Sequence, residues 1–197
     1  MRVLERCGLV RWMSTIVLGV ALGACAGSSA ASADPTARPP TRERAALLLS
    51  ERGAALARSG DSVRAAQYLE AALDLGVASA QVLPLLLSVY VHSGRYRLAV
   101  ERAERYLRSH PDDDRMRFLT GTLQMALGAD AQAAKHFRRV LARTPRHAPA
   151  HYALATLLRD RYADPVGADY HFREYLRLDP SGSHAAEARA SLLGEVE

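Results

Sequence analysis

Between residues 46 and 182 the same residue types return every 34 positions along the chain. Four series show this period, and the fourth copy follows after one inserted residue: Gly60, Gly94 and Gly128; Ala65, Ala99, Ala133 and Ala168; Leu73, Leu107, Leu141 and Leu176; Pro111, Pro145 and Pro180. A unit of this length is a single supersecondary motif that cannot bury its apolar face alone, so neighbouring units stack. The period therefore predicts an array of stacked repeats.

Each repeat is predicted to be a pair of helices. The glycines end helix-length segments, where a left-handed residue costs least, and the prolines disfavour helix in the residue before them. The repeated alanines let two antiparallel helices pack closely. The predicted helices are 43–58, 62–75, 80–92, 96–109, 113–127, 131–143, 148–160 and 165–178, followed by a capping helix at 183–193 with an apolar stripe of Ala186, Ala190 and Leu193. No segment has a strand pattern, so the sequence predicts an all-α fold.

The repeat also has the residue signature of a known family. Its third copy places Gly121, Ala133, Phe137 and Pro145 where tetratricopeptide repeats prefer those residue types. Residues 46–180 therefore resemble the tetratricopeptide repeat family. The resemblance implies a right-handed α-solenoid of four helix-turn-helix repeats, at about 46–79, 80–113, 114–147 and 148–182, plus the capping helix.

The departures from this signature are local. The signature tryptophan is replaced in the four copies by Leu49, Leu83, Arg117 and His151. Leu87 stands in the second copy where the family prefers glycine, at a point where two helices normally approach closely. This bulk predicts that the second helix pair splays slightly or repacks.

The first 24 residues are predicted to be a lipoprotein signal peptide. An arginine-containing start precedes the uncharged, mostly apolar segment 12–24, which is too short to span a bilayer. The segment ends in Leu-Gly-Ala-Cys at residues 22–25, which resembles a bacterial lipobox and makes Cys25 the lipidated residue. An ordinary secretory signal and an uncleaved anchor remain the alternatives.

Residues 25–40 then form a lipidated cysteine and flexible linker, and residues 41–197 form the solenoid domain. Ala26 follows the cysteine instead of aspartate, which in lipoproteins of this kind implies an outer-membrane location. We expect a palmitate-type anchor at Cys25, in a bacterial outer membrane, with the domain facing the periplasm.

The charge balance argues against a nucleic-acid partner. The formal net charge is +5, and removal of the signal peptide takes away three arginines and one glutamate, leaving about +3. Phosphate binding needs concentrated basic charge, which this chain lacks. The expected partner is a protein or peptide, with the membrane contacted through the lipid and no small-molecule substrate.

The resemblance also implies where a partner binds. In tetratricopeptide domains the first helix of each repeat lines a concave groove. Carried over by position, the groove residues are Arg58, Ser88, His92, Arg115, Phe118, Thr122, Met125, Tyr152, Thr156 and Arg159, with Glu51, Ala54, Val91 and Asp160 beside them. Phe118 and Tyr152 are 34 residues apart and either anchor a partner or fill packing gaps between repeats. With Arg115 and Arg159 they suit a peptide that has an apolar anchor and a carboxylate.

Catalysis and metal binding have little support in the sequence. His147 and His151 have an i, i+4 spacing that suits a metal, but Pro149 lies between them and no cysteine or carboxylate ligand is near in sequence. Nucleophile, phosphate-binding and dinucleotide motifs are absent from the sequence. We therefore expect no catalytic residue, no metal and no cofactor.

These features predict a membrane-anchored scaffold or assembly factor that binds a partner protein through the concave groove. A narrower alternative is a pilotin-like lipoprotein that assembles the secretin of a type IV pilus or secretion system, or other outer-membrane machinery. A metal-binding protein is the third hypothesis, and it depends on His147 and His151 alone.

Overall fold

The computed structural model describes residues 41–194, and nine helices run through this part of the chain. Their bounds are α1 Arg42–Arg58, α2 Ser62–Asp74, α3 Ser79–His92, α4 Tyr96–Ser109, α5 Asp114–Ala126, α6 Asp130–Arg143, α7 Ala148–Asp160, α8 Pro165–Leu178 and α9 Ala185–Ala190. The first eight bounds differ from the predicted ones by at most one residue. Residues 41–194 contain no strand. The all-α helical-repeat prediction is confirmed, whereas the signal peptide, Cys25 and the linker lie outside the described residues.

The helix ends follow from particular residues. The side chains of Thr41, Asp61, Asp113, His147 and Asp164 each accept a hydrogen bond from a backbone N–H of the first helical turn. This satisfies a donor that the helix itself leaves unpaired. The three glycines of the period, Gly60, Gly94 and Gly128, have φ of 85°, 71° and 73° and lie between the two helices of a repeat. A side chain would strain the backbone at those turns.

Small residues set the distance between paired helices. Ala65, Ala99, Ala133 and Ala168 are all buried. A Cβ added at Gly121 would lie 2.8 Å from the Phe137 ring, and one added at Gly53 would lie 2.7 Å from Leu69 Cγ. Glycine is therefore required where a large side chain of the second helix crosses the first.

The second repeat reverses this arrangement. Leu87 takes the position equivalent to Gly121, and Ala103 takes the position equivalent to Phe137; both are fully buried in one apolar cluster. The large and small residues have thus exchanged helices, which conserves volume at the crossing. The backbones of α3 and α4 approach less closely than those of the other three pairs. The prediction was that this pair splays or repacks, and the exchange of Leu87 and Ala103 is a repacking.

The core consists of two apolar clusters in sequence order. One contains buried residues between Ala65 and Leu123, and the other contains buried residues between Ala133 and Ala188. Helix α5 lies where they meet and buries four polar side chains, those of Arg117, Thr120, Thr122 and Gln124. A polar layer therefore separates the two halves of the core.

The N-terminal end of the array is the less covered one in this structure. Leu48 is 51% exposed, whereas its equivalent in the third repeat, Met116, is 7% exposed because the preceding repeat covers it. None of the helices within residues 41–194 is long and apolar enough to cross a membrane.

The capping helix differs from its prediction. It spans only Ala185–Ala190 and buries Ala185 and Ala188, while Ala186 and Ala190 of the predicted stripe are exposed. Leu193, the third member, is also exposed. The helix ends early because the Leu193 N–H donates to Asp169 Oδ1 (2.8 Å) and its carbonyl accepts from Arg173 (3.2 Å), both on α8. These bonds replace the next helical turn.

Candidate functional site

The predicted groove residues lie on the first helices of their repeats, but their exposure differs widely. Arg58, His92 and Arg115 are exposed; Ser88, Phe118, Met125, Thr156 and Arg159 are half-buried; Thr122 and Tyr152 are buried. Of the residues beside them, Glu51 and Asp160 are exposed, while Ala54 and Val91 are half-buried. Thr122 and Tyr152 are only 7% exposed, so both offer little surface to a partner.

Tyr152 is held by the C-terminal segment. Its hydroxyl donates to Glu187 Oε2 at 2.7 Å, and its ring stacks on His184 with centroids 4.1 Å apart. The rings of Phe172 and Tyr175 lie 6.0 and 5.3 Å away. Of the two roles that the sequence left open for Tyr152, these contacts support packing.

Arg159 is drawn into the same contact. Its guanidinium bonds Asp160 Oδ1 (2.6 Å), Ser191 Oγ (2.5 Å) and Glu187 Oε1 (3.2 Å). The hydrogen bonds to Asp160 and Glu187 raise the pKa of Arg159 above its ordinary value. The C-terminal segment thus occupies the end of the groove that α7 was expected to line.

Phe118 has a different environment. Its ring lies 4.9 Å from the His147 ring and 5.6 Å from the Phe137 ring, centroid to centroid, yet it stays partly accessible. Arg115 and Met125 lie on the same face of α5, at i−3 and i+7. This face of α5 combines an aromatic ring, a thioether and a cation, and we call these three residues the α5 patch.

The predicted hydroxyl groups mostly serve their own helices. Thr122 donates to the Phe118 carbonyl and Thr156 to the Tyr152 carbonyl, both at 3.0 Å. Ser88 lies 3.4 Å from His92 Nδ1, and the same nitrogen lies 2.8 Å from the Ser88 carbonyl. The hydroxyl groups of Thr122 and Thr156 are therefore engaged within their own helices and are not free to donate to a partner.

His147 and His151, the two histidines of the metal-binding hypothesis, contact different groups. His147 Nδ1 accepts from the Ala150 N–H (3.1 Å) at the start of α7, and burial lowers the pKa of His147. His151 Nδ1 lies instead 2.9 Å from His171 Nδ1, and its Nε2 lies 3.0 Å from the Pro145 carbonyl. Residues 41–194 contain no group of three or more side chains that could hold a metal ion.

The burial of two polar side chains was not predicted from the sequence. Arg117 and His151, which replace the signature tryptophan, each bond the carbonyl of the proline that closes the preceding repeat, Pro111 and Pro145 respectively. Each also lies near the histidine at one equivalent position of the next helix, His136 or His171. The sequence did carry a signal for this arrangement, because a polar residue replaces the signature tryptophan in both repeats.

The fold of residues 41–194 is a helical-repeat scaffold, a class that typically mediates protein–protein interaction or peptide binding. The family profile that matches the chain is that of the tetratricopeptide repeat, over residues 86–145 and 131–183. Residues 86–183 therefore belong to the tetratricopeptide repeat family.

Solved structures show the same fold at low sequence identity. A tetratricopeptide repeat protein from Parabacteroides merdae ATCC 43184 is 21% identical, with a TM-score of 0.67 over 75% of this chain and 58% of that one. YrrB, described as a TPR protein with an unusual peptide-binding site, is 21% identical, with a TM-score of 0.64 over 74% of this chain and 75% of its own.

A third similar structure is a fragment of MamA from Desulfovibrio magneticus RS-1, beginning at its residue 41. It is 22% identical, with a TM-score of 0.60 over 70% of this chain and 77% of that one. Among curated proteins, none matches the chain significantly in sequence.

Proposed function

We propose that the chain is a membrane-anchored scaffold or assembly factor that binds a protein partner through the groove formed by the first helices, with the α5 patch as its centre. The observation that supports this is the state of the patch. Arg115 is exposed and forms no ion pair with any residue in 41–194, and Phe118 and Met125 are only half-buried. All three side chains therefore keep accessible surface that a partner could contact.

The chemistry of the α5 patch suits a peptide with an apolar side chain and a nearby carboxylate. An aromatic ring and a thioether offer apolar contact area, and a free guanidinium forms paired hydrogen bonds to a carboxylate. A peptide-binding site in the similarly folded YrrB is consistent with this use of the fold.

Site-specific crosslinking tests the groove. A photoreactive residue at Met125 of the full chain, expressed in its native host, should crosslink a partner that the same residue at Leu98, exposed on α4, does not. Arg115→Gln combined with Phe118→Ala should then weaken binding of that purified partner by about 2–4 kcal/mol, the range of interface hot spots. The matched control is Arg97→Gln with Leu98→Ala. Equal weakening by both double variants would assign the effect to general charge and not to the groove.

Anchoring is tested separately at the cysteines. Cys25→Ser is expected to abolish palmitate labelling and to leave the precursor unprocessed by the lipoprotein signal peptidase, because Cys25 alone follows the lipobox-like residues. Cys7→Ser is the control and should leave both unchanged. Labelling that persists in the Cys25→Ser variant would refute lipidation at this residue.

A further inference from the structure

A cleft of about 620 Å³ lies between α6, α7 and α8, and none of the predicted groove residues lines it. Its walls come from the second helices of the third and fourth repeats and from the turn before α7. The polar side chains that line it include Arg138 on α6, Arg146 in the turn, His151 on α7, and Tyr170 and His171 on α8. The cleft is therefore a separate concave surface from the α5 patch.

The floor of this cleft is a pair of imidazoles, of which His151 is buried and His171 is half-buried. His151 Nδ1 and His171 Nδ1 are 2.9 Å apart, so one donates and the other accepts a hydrogen bond. The Pro145 carbonyl, which can only accept, lies 3.0 Å from His151 Nε2. This fixes a hydrogen on His151 Nε2 and holds the pair rigidly in place.

The walls of the cleft carry an excess of positive charge. Arg138 and Arg146 are exposed and form no ion pair within residues 41–194. Of the two carboxylates in the lining, Glu174 pairs with Arg177 (2.7 Å), whereas Asp164 accepts the Gly167 N–H (2.9 Å) and keeps its charge. The lining therefore carries three arginines against two carboxylates. Burial, the largest cause, acts with His151 and Arg138 to lower the pKa of His171 to about 4, partly offset by Glu174 and Asp164.

One exposed aromatic side chain lines the cleft, and an exposed apolar residue lies beside it on the same helix. Tyr170, which lines it, is 60% exposed, and Val166 one turn earlier on α8 is 71% exposed. Exposed large apolar side chains beside unpaired cations are typical of surfaces that bind a partner with mixed character.

We propose that this cleft is a second binding site, which takes an acidic segment of a partner protein. Carboxylates of the segment bind Arg138 and Arg146, and an apolar side chain of the segment packs against Tyr170. The site is independent of the groove proposed above, so the chain has two docking surfaces, one for each set of helices.

Fluorescence anisotropy of the full chain in detergent, at low salt, tests this with a short fluorescein-labelled peptide of alternating glutamate and leucine. Arg138→Gln with Arg146→Gln should weaken binding by roughly tenfold or more, because two charge-assisted hydrogen bonds are lost. The matched control removes the same charge from two other exposed and unpaired arginines, Arg97→Gln with Arg108→Gln on α4, and should change binding by less than about twofold. A glutamine–leucine peptide should not bind.

A second measurement locates the peptide. Binding should shift the ring resonances of His151 and His171 in NMR spectra. These shifts should persist in the Arg115→Gln variant, in which any binding of the same peptide at the α5 patch is weakened. Equal weakening by the two double variants, unshifted histidine resonances, or no binding of the acidic peptide would each overturn the proposal. None of these results would bear on the groove, whose test uses other residues and another ligand.

Discussion

Replacing Tyr152 by alanine is expected to lower the free energy of unfolding by about 3–5 kcal/mol, the usual loss for a buried aromatic side chain. The ring is 7% exposed and contacts the rings of Phe172, Tyr175 and His184. Tyr152 also joins the last repeat to the C-terminal segment through Glu187. Thermal and urea unfolding of the variant measure the loss, which corresponds to about 2–4 °C in Tm per kcal/mol for a chain of this size.

Two further variants separate the causes of this loss. Tyr152→Phe keeps the ring and removes only the hydroxyl, so it should cost about 1 kcal/mol. Phe118→Ala, at the equivalent position of the third repeat, should cost clearly less than Tyr152→Ala because its ring is only half-buried. A Tyr152→Ala protein that melts like the wild type would contradict the packing role and return Tyr152 to the groove.

Acidification is expected to destabilise the protein between about pH 6.5 and pH 4. Burial, with the charges of His151 and Arg138, lowers the pKa of His171 from 6.5 to about 4, partly offset by Glu174 and Asp164. The unfolded chain therefore binds a proton in this window that the folded chain excludes. Stability is fully present above the unfolded pKa and is lost as the pH falls toward the folded one, by about 2–3 kcal/mol for this group.

Other histidines act in the same direction. Burial also lowers the pKa of His136, His147 and His184. Urea unfolding across the pH window should show the loss, and His171→Gln should make the profile shallower. His92→Gln, at an exposed site on α3, is the control and should leave the slope unchanged. A flat profile in the wild type would mean that these imidazoles are protonated in the folded state at no cost.

The helices could be predicted closely because their ends depend on local chemistry. Gly60, Gly94 and Gly128 mark turns with positive φ, and Pro111 and Pro145 close second helices. Such residues act over a few positions, so sequence alone locates them. The Leu87 substitution was also readable as a change in helix spacing, although its compensation by Ala103 became visible only in the structure.

The site was less predictable because it depends on contacts distant in sequence. Tyr152 was expected in the groove because its position in the repeat places it there, but Glu187, 35 residues later, covers it. Whether Glu187 reaches Tyr152 depends on how the short α9 is rotated about its axis. The alanine spacing in α9 is compatible with burial of either of two helix faces. The His151–His171 pair likewise joins two helices across 20 residues, and no local pattern indicates which ring nitrogens meet.

The ion pair between Glu187 and Arg159 means that this chain already supplies a carboxylate at one end of the proposed groove. Only the short turn after α8 separates α9 from the last repeat, and a short tether gives an attached group an effective concentration on the order of millimolar. A carboxylate on another protein must therefore displace Glu187 in order to bind Arg159. Arg115 has no such competing carboxylate among the described residues. A peptide bound in the proposed groove would therefore place its carboxylate at the third repeat in preference to the fourth.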